Sequence, residues 1–388
     1  MKKILYVTGS RAEYGIMKRL LLALDQDQEI ELTIVATGMH CDEKYGLTYK
    51  VIENDGLKIE RLININIDTS NNAKILNSMS ICQSEFGQYF QENKFDAVMI
   101  LGDRYEIFSV AIAAAMHNLP LIHLHGGEKT LGNYDEFIRH AITKMSKLHL
   151  ASTEEYRQRI IQMGENPDTV FNIGALGAEN SLLMQLPSKE KLERKYGSLS
   201  KPYFMVVFHP ETLTSVSPSV QITELLNALS EFTEQYDFVF IGSNSDTGSD
   251  EITEKVKLFC DQTQSRFMTS VMPEEYLALN KYSQGLIGNS SSGLIEIPSL
   301  NIPTINIGDR QKGRVRGDTV IDCICQKSMI IKAILNTQST LIQNKIANSI
   351  NPYYQQAVLD TALNLIKEFL NNPIDLNKDF YDIVLINH

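Results

Sequence analysis

Residues able to do chemistry gather at one kind of place in this sequence, the polar end of a short apolar run. In the first half KILYVTG leads to Ser10, Arg11 and Glu13, ELTIVATG to His40, DAVMIL to Asp103 and Arg104, and PLIHL to His125, Gly126, Gly127 and Glu128. The second half contributes His209, Asn244, Asp246, Ser290, Ser291, Glu296 and Arg310. Arg11 and Arg310 carry guanidinium groups whose forked donors match phosphate oxygens. Between them in type lies GNSSSG (Gly288 to Gly293), small residues opening a helical run, where backbone N–H groups can approach an anion and the helix dipole adds attraction. Glu296, further along the same run, could accept ribose hydroxyls. Asp103, His125, Glu128, Asp135, Glu136 and His209 supply titratable groups for taking and returning a proton, if a dry cleft moves their pKa values toward neutrality.

Each of these has a plainer competing role. Serine is a common helix N-cap, an exposed arginine usually forms a weak solvated pair, and Asp135 and Arg139, four apart on a helical stretch, could simply pair with one another. His123 and His125 alternate along one strand, an H-x-H arrangement that holds zinc in some hydrolases, with Asp103, His140 or His209 as further candidate ligands. Those candidates follow no ligand spacing, and nearby arginines oppose a cation, so no metal is expected. No G-x-x-x-x-G-K-[ST] loop and no strand-following G-x-G-x-x-G occurs, which argues against a P-loop or dinucleotide site.

The elements that must position these residues follow from periodicity. Strands that are apolar throughout alternate with segments such as Ile16, Met17, Leu20, Leu21 and Leu24, whose spacing is helical. That combination predicts parallel sheets covered on both faces, where ligands bind beyond the carboxyl ends of the strands. The pattern loosens over residues 176–202 and then restarts with YFMVVFHP, DFVFIGSN and TINIGDR. The expected organisation is two Rossmann-like α/β domains in tandem, residues 1–178 and 179–370, with a tail at 371–388; a helix over Tyr353–Leu370 is expected to pack across the two.

Length and composition agree. A chain of 388 residues with 43% hydrophobic and 21% charged residues is long enough for two cored domains and is not a disordered composition. Its formal charge of −11 disfavours nucleic acid as a partner. The five cysteines include no C-x-x-C pair, consistent with reduced thiols in the cytoplasm. No run approaches 18 apolar residues, so no membrane partner is expected.

TGSRAEYG, ATGMH, LGDRYE, HLHGGEKTLGNYDEFIRHAITKMSKLHL, FHPET, GSNSDTG, GNSSSGLIE and INIGDRQKGR occur in this order. As an ordered set they resemble bacterial hydrolysing UDP-N-acetylglucosamine 2-epimerases of the sialic acid and capsule branch, and their non-hydrolysing relatives, over essentially the whole chain. The resemblance implies a glycosyltransferase B-type fold with the active site in the cleft, a UDP-sugar substrate, UDP as product, no cofactor and a homodimer or homotetramer. It implies that Ser290 and Ser291 bind the diphosphate, Glu296 the ribose, Arg11 and Arg310 the phosphates, and that Val271 and Tyr276 lie beside uracil, with His209 and Asn244 near the diphosphate. His40, Arg104, Glu128 and Arg139 complete the expected substrate contacts. Asp103 and Asp135 match two of the family's three proton-transfer carboxylates. The third position, usually Glu in an HxEGGE motif, is His125 here, and a lysine of non-hydrolysing relatives is replaced by Ile16.

Overall fold

The computed structural model describes residues 1–383; residues 384–388, the end of the tail expected at 371–388, lie outside the described residues. Among the described residues thirteen strands form two sheets. The first contains β1 (Lys2–Thr8), β2 (Ile30–Thr37), β3 (Ile59–Ile63), β4 (Ala97–Leu101), β5 (Leu121–Leu124), β6 (Leu148–Ala151) and β7 (Val170–Asn172) in the order β3-β2-β1-β4-β5-β6-β7. The second contains β8 (Tyr203–Val207), β9 (Asp237–Ile241), β10 (Arg266–Met268), β11 (Leu286–Gly288), β12 (Thr304–Ile307) and β13 (Val320–Cys323) in the order β10-β9-β8-β11-β12-β13. Every strand pairing is parallel.

The reason lies in the apolar runs. Along β1, Ile4 and Tyr6 enter one buried cluster while Leu5 and Val7 enter the cluster on the opposite face. Along β8, Phe204 and Val206 face one way and Met205 and Val207 the other. A strand with no polar face must be covered twice, so helices lie on both sides of each sheet. Helix Arg11–Gln26 shows how one such cover starts: Ser10 accepts from the Glu13 N–H, Glu13 reaches back to the N-cap backbone, and Met17, Leu20, Leu21 and Leu24 bury one stripe.

Strand order reverses between β1 and β4 in the first sheet and between β8 and β11 in the second, and these switch points open crevices at the carboxyl ends. The two crevices face one another across the lobes. At the second, Gly288 has φ 142° and any side chain there would overlap the Val207 carbonyl, so only glycine lets β11 close against β8. This is the glycosyltransferase B-type pair of Rossmann-like lobes.

The end of the chain departs from the expected range 179–370. Helix Val358–Asn371 buries Val358, Ala362, Ile366 and Leu370 in the cluster of the first sheet, beside Leu20 and Leu24. Its first turn is held there by Glu179, which accepts from the N–H groups of Val358 at 2.8 Å and Leu359 at 3.3 Å. The polypeptide thus crosses between lobes twice, around residues 184–202 and again around 348–357. Among the described residues no helix is long and apolar enough to cross a membrane.

Candidate active site

One cavity lies between the two switch points. Its walls include Arg11, Asp103, Arg104, His125, Glu128 and Asp135 from the first lobe, and His209, Asn244, Tyr276, Ser290, Ser291, Glu296 and Arg310 from the second. Arg11, Ser290 and Arg310, from three separate strand ends, therefore share one space.

On the second-lobe side, Asn289 makes the frame. Its fully buried amide accepts from the His209 N–H and donates to the His209 carbonyl, both at 2.8 Å, locking the end of β11 to the end of β8. Its carbonyl accepts from Gln311 at 2.8 Å and Arg310 at 3.3 Å, which brings the loop after β12 into the same corner. His209 Nδ1 accepts from the Asn244 N–H at 3.1 Å, so its neutral ring carries hydrogen on Nε2. Burial, then Arg310 and Arg104, press its pKa well below the usual value and keep it neutral. The helix after GNSSSG is shorter than its pattern suggests: it spans only Ser292–Ile295, and a 3₁₀ turn containing Pro298 follows. The dipole contribution at this turn is correspondingly small. Tyr276 donates to Ser292 Oγ at 3.1 Å, and the Arg11 guanidinium lies 5.8 Å from the Tyr276 ring centre while donating to the Val271 carbonyl at 2.8 Å. Glu296 is raised in pKa by burial, against the pull of Arg11.

The first-lobe side is made of titratable groups. Asp103 follows β4 and is paired with Arg139. Asp135 starts the helix Asp135–Met145, accepts from Asn133 Nδ2 at 2.8 Å and lies 3.7 Å from the Arg310 guanidinium. Burial, then the neighbouring Asp103 and Asp246, push its pKa up to about 8. His125 follows β5 with φ 64°, a left-handed conformation rare for a side-chain-bearing residue. That turn takes it out of register with His123, which is fully buried, bonded to the Gly102 carbonyl at 2.8 Å and absent from the cavity wall, so the two do not share a ligand. Among the described residues no group of three or more His, Cys, Asp or Glu is arranged to hold a metal.

Three expected contacts sit one layer behind the wall. His40 is fully buried, with one ring nitrogen on Thr8 Oγ1 at 3.1 Å and the other on Thr48 Oγ1 at 2.9 Å, so it braces the β1 loop instead of facing a ligand. Arg139 is also fully buried and spends its donors on Asp103, Glu136, Thr130 and the Glu128 carbonyl, not in a surface pair with Asp135. The Val271 side chain packs into the second-lobe core, and its carbonyl is taken by Arg11. Glu128 reaches the wall, but both its oxygens are engaged by protein groups. Conversely, Arg314, Gln311, Thr130 and Asn180 line the cavity without having been singled out. Arg314 and Gln311 lie in the same GDRQKGRVRG segment as Arg310, so strand-end position was the available signal.

Residues 22–367 match the family model described as UDP-N-acetylglucosamine 2-epimerase. The chain is 60% identical to the polysialic acid biosynthesis protein P7 of Escherichia coli, over 99% of this chain and 98% of that protein. It is 38% identical to the hydrolysing GDP/UDP-N,N'-diacetylbacillosamine 2-epimerase of Campylobacter jejuni, over 83% of this chain and 84% of that one. The solved structure of UDP-GlcNAc 2-epimerase from Neisseria meningitidis bound to UDP-GlcNAc has the same fold, with a TM-score of 0.77 at 17% identity, covering 94% of this chain and all of that one. With the model matched over most of its length and a near full-length relative this similar, the chain belongs to the UDP-N-acetylglucosamine 2-epimerase family.

Proposed function

We propose that this protein is a hydrolysing UDP-N-acetylglucosamine 2-epimerase, converting UDP-N-acetylglucosamine and water into N-acetylmannosamine and UDP, the first step of sialic acid synthesis. The observation that carries this reading is the meeting, in one cavity, of a cationic corner at Arg310 with the proton-transfer groups Asp103, His125 and Asp135. The name of the polysialic acid relative supports the product.

In this reading a base removes the proton from sugar C2, the C–H electron pair becomes the C1–C2 double bond, and the C1–O bond breaks with its electrons leaving on UDP. Arg310, Ser290, Ser291 and the Nε2–H of His209 stabilise the charge growing on the departing diphosphate. Glu296 receives the ribose and Tyr276 the uracil; Arg11, expected on the phosphates, is held on the Val271 carbonyl and beside the Tyr276 ring and is assigned to the uracil end instead. Water then adds its oxygen to C1 and C2 takes a proton on the opposite face. Two faces need two groups. Asp135, protonated at neutral pH by its raised pKa, is suited to deliver that proton, while Asp103 and His125 remain as acceptors.

A second reading within the class, hydrolysis of a UDP-linked diacetamido trideoxy sugar, is favoured by the Campylobacter relative; relative turnover of the two nucleotide sugars separates them. The scaffold also suits a UDP-sugar glycosyltransferase, which would need an acceptor other than water. The deciding experiment is NMR of the product from UDP-N-acetylglucosamine in deuterated water, with and without chelator. The proposal expects free N-acetylmannosamine carrying deuterium at C2, under both conditions. A product still linked to UDP would show a non-hydrolysing epimerase, and retention of the original C2 hydrogen would remove the elimination step. A cytoplasmic homodimer or homotetramer belongs to the same reading, and sedimentation of the purified protein tests the assembly.

A further inference from the structure

The HLHGGE segment makes a second use of its glutamate. Glu128 is buried, with 1% of its surface exposed, and follows His125 by one tight turn. Its Oε1 lies 3.0 Å from His125 Nδ1 and accepts from the Ser152 hydroxyl at 2.9 Å, while Oε2 lies 2.6 Å from Arg314 Nη2, a residue of the opposite lobe. Arg139 donates to the Glu128 backbone carbonyl at 2.8 Å, fixing the same turn from a third side. Burial works against charge here, yet Arg314 and His125 outweigh it and hold the carboxyl below the ordinary carboxylate range. An ionised carboxylate has no hydrogen to give, so the hydrogen in its contact with His125 must sit on Nδ1. In a neutral ring Nε2 is then the bare nitrogen. That atom is buried and has no partner among the described residues, although His125 lines the cavity. The strained φ of 64° persists because these surroundings dictate the ring's position.

We propose that Glu128 is a positioning residue that fixes the Nδ1–H tautomer of His125, leaving Nε2 as a proton acceptor facing the sugar, and that Arg314 of the second lobe holds Glu128 in that role. A carboxylate thus acts through an imidazole where the family's pattern has a carboxylate acting directly. The arrangement has the logic of the Asp and His of a catalytic triad, in which the acid sets tautomer and orientation without taking up the proton. It also joins the two halves of the site, because the loop carrying Arg310 toward the phosphate corner is the loop carrying Arg314 to Glu128.

The kinetic test rests on the epimerase reading, and the spectroscopic one does not. With nitrogen-15 labelled histidine, NMR of the intact protein should show one ring protonated on Nδ1 and bare on Nε2, assigned by its loss in His125→Gln. A bare Nδ1 on that ring overturns the proposal whatever the protein's substrate. Kinetically, Glu128→Gln should lower kcat on the order of 10²- to 10⁴-fold, as when a triad acid becomes an amide, with UDP affinity unchanged. The double variant Glu128→Gln with His125→Gln should be no slower than His125→Gln alone, since one residue acts through the other. Additive losses, or a parallel loss of UDP affinity in Glu128→Gln, would overturn the positioning role. If wild-type protein neither releases UDP nor exchanges the C2 hydrogen, the epimerase reading fails while the nitrogen spectrum still decides the tautomer.

Discussion

The two walls of the cavity are built on opposite principles. Around Arg310 the second-lobe wall presents fixed groups: serine hydroxyls, a neutral His209 and the Arg310 guanidinium braced on the Asn289 carbonyl, with Glu296 an adjustable group further along. The first-lobe wall presents adjustable ones, set by carboxylates close enough to disturb one another: burial, then Asp103 and, from the second lobe, Asp246 raise Asp135, and burial, then Glu106 behind the wall, raise Glu13. A group that must hold an anion through a reaction gains from being unable to change its charge. A group that must lose and regain a proton gains from a neighbour that makes either state affordable. In the proposed reaction the division between lobes is thus one between holding and reacting.

The largest test of that division is Asp103→Asn, which should slow turnover by about 10²- to 10⁴-fold, the scale of a lost acid–base group, while calorimetry finds UDP affinity retained. Equal loss of both would erase the distinction between the walls. Asp135 sharpens it through pH. A group that must be protonated in the free enzyme and has a pKa of about 8 makes kcat/KM fall as pH rises through that value, and the alkaline limb should vanish in Asp135→Asn. Arg310→Ala is the reciprocal case: UDP binding should weaken by about 1 to 3 kcal/mol, the scale of a charge-assisted hydrogen bond, seen in titration with UDP alone. The smallest effect is on stability. Glu13 is raised to about 8, so folding gains from its proton in acid and loses that gain as pH rises through about 8. Glu13→Gln, neutral at every pH, should flatten the decline of Tm across that window.

What the sequence disclosed follows the same physics. Apolar runs reported the strands because both faces are buried, and the rule that ligands bind at strand ends picked out Arg11, Asp103, His209, Ser290 and Arg310, all of which meet. Depth was not legible. His40 and Arg139 occupy motif positions as suggestive as those of Asp103, but whether a side chain stands in front of or behind its loop depends on partners such as Thr48 and Thr130 that only the folded chain supplies. Contacts across the lobes were equally hidden: the match of Arg314 to Glu128 joins residues 186 positions apart and leaves no local periodicity. The short helix after GNSSSG was legible in principle, since Pro298 stands in the run that follows it.

The return of the last helix to the first sheet has a mechanical consequence. With a single connection the lobes could twist as well as open, whereas two strands of chain side by side act as a pair of hinge pins and leave opening as the easy movement. Arg314 on Glu128 and Arg310 beside Asp135 register the two lobes against one another. Severing the chain before Val358 would unseat a helix that buries four apolar side chains on the first sheet and free the lobes to swivel.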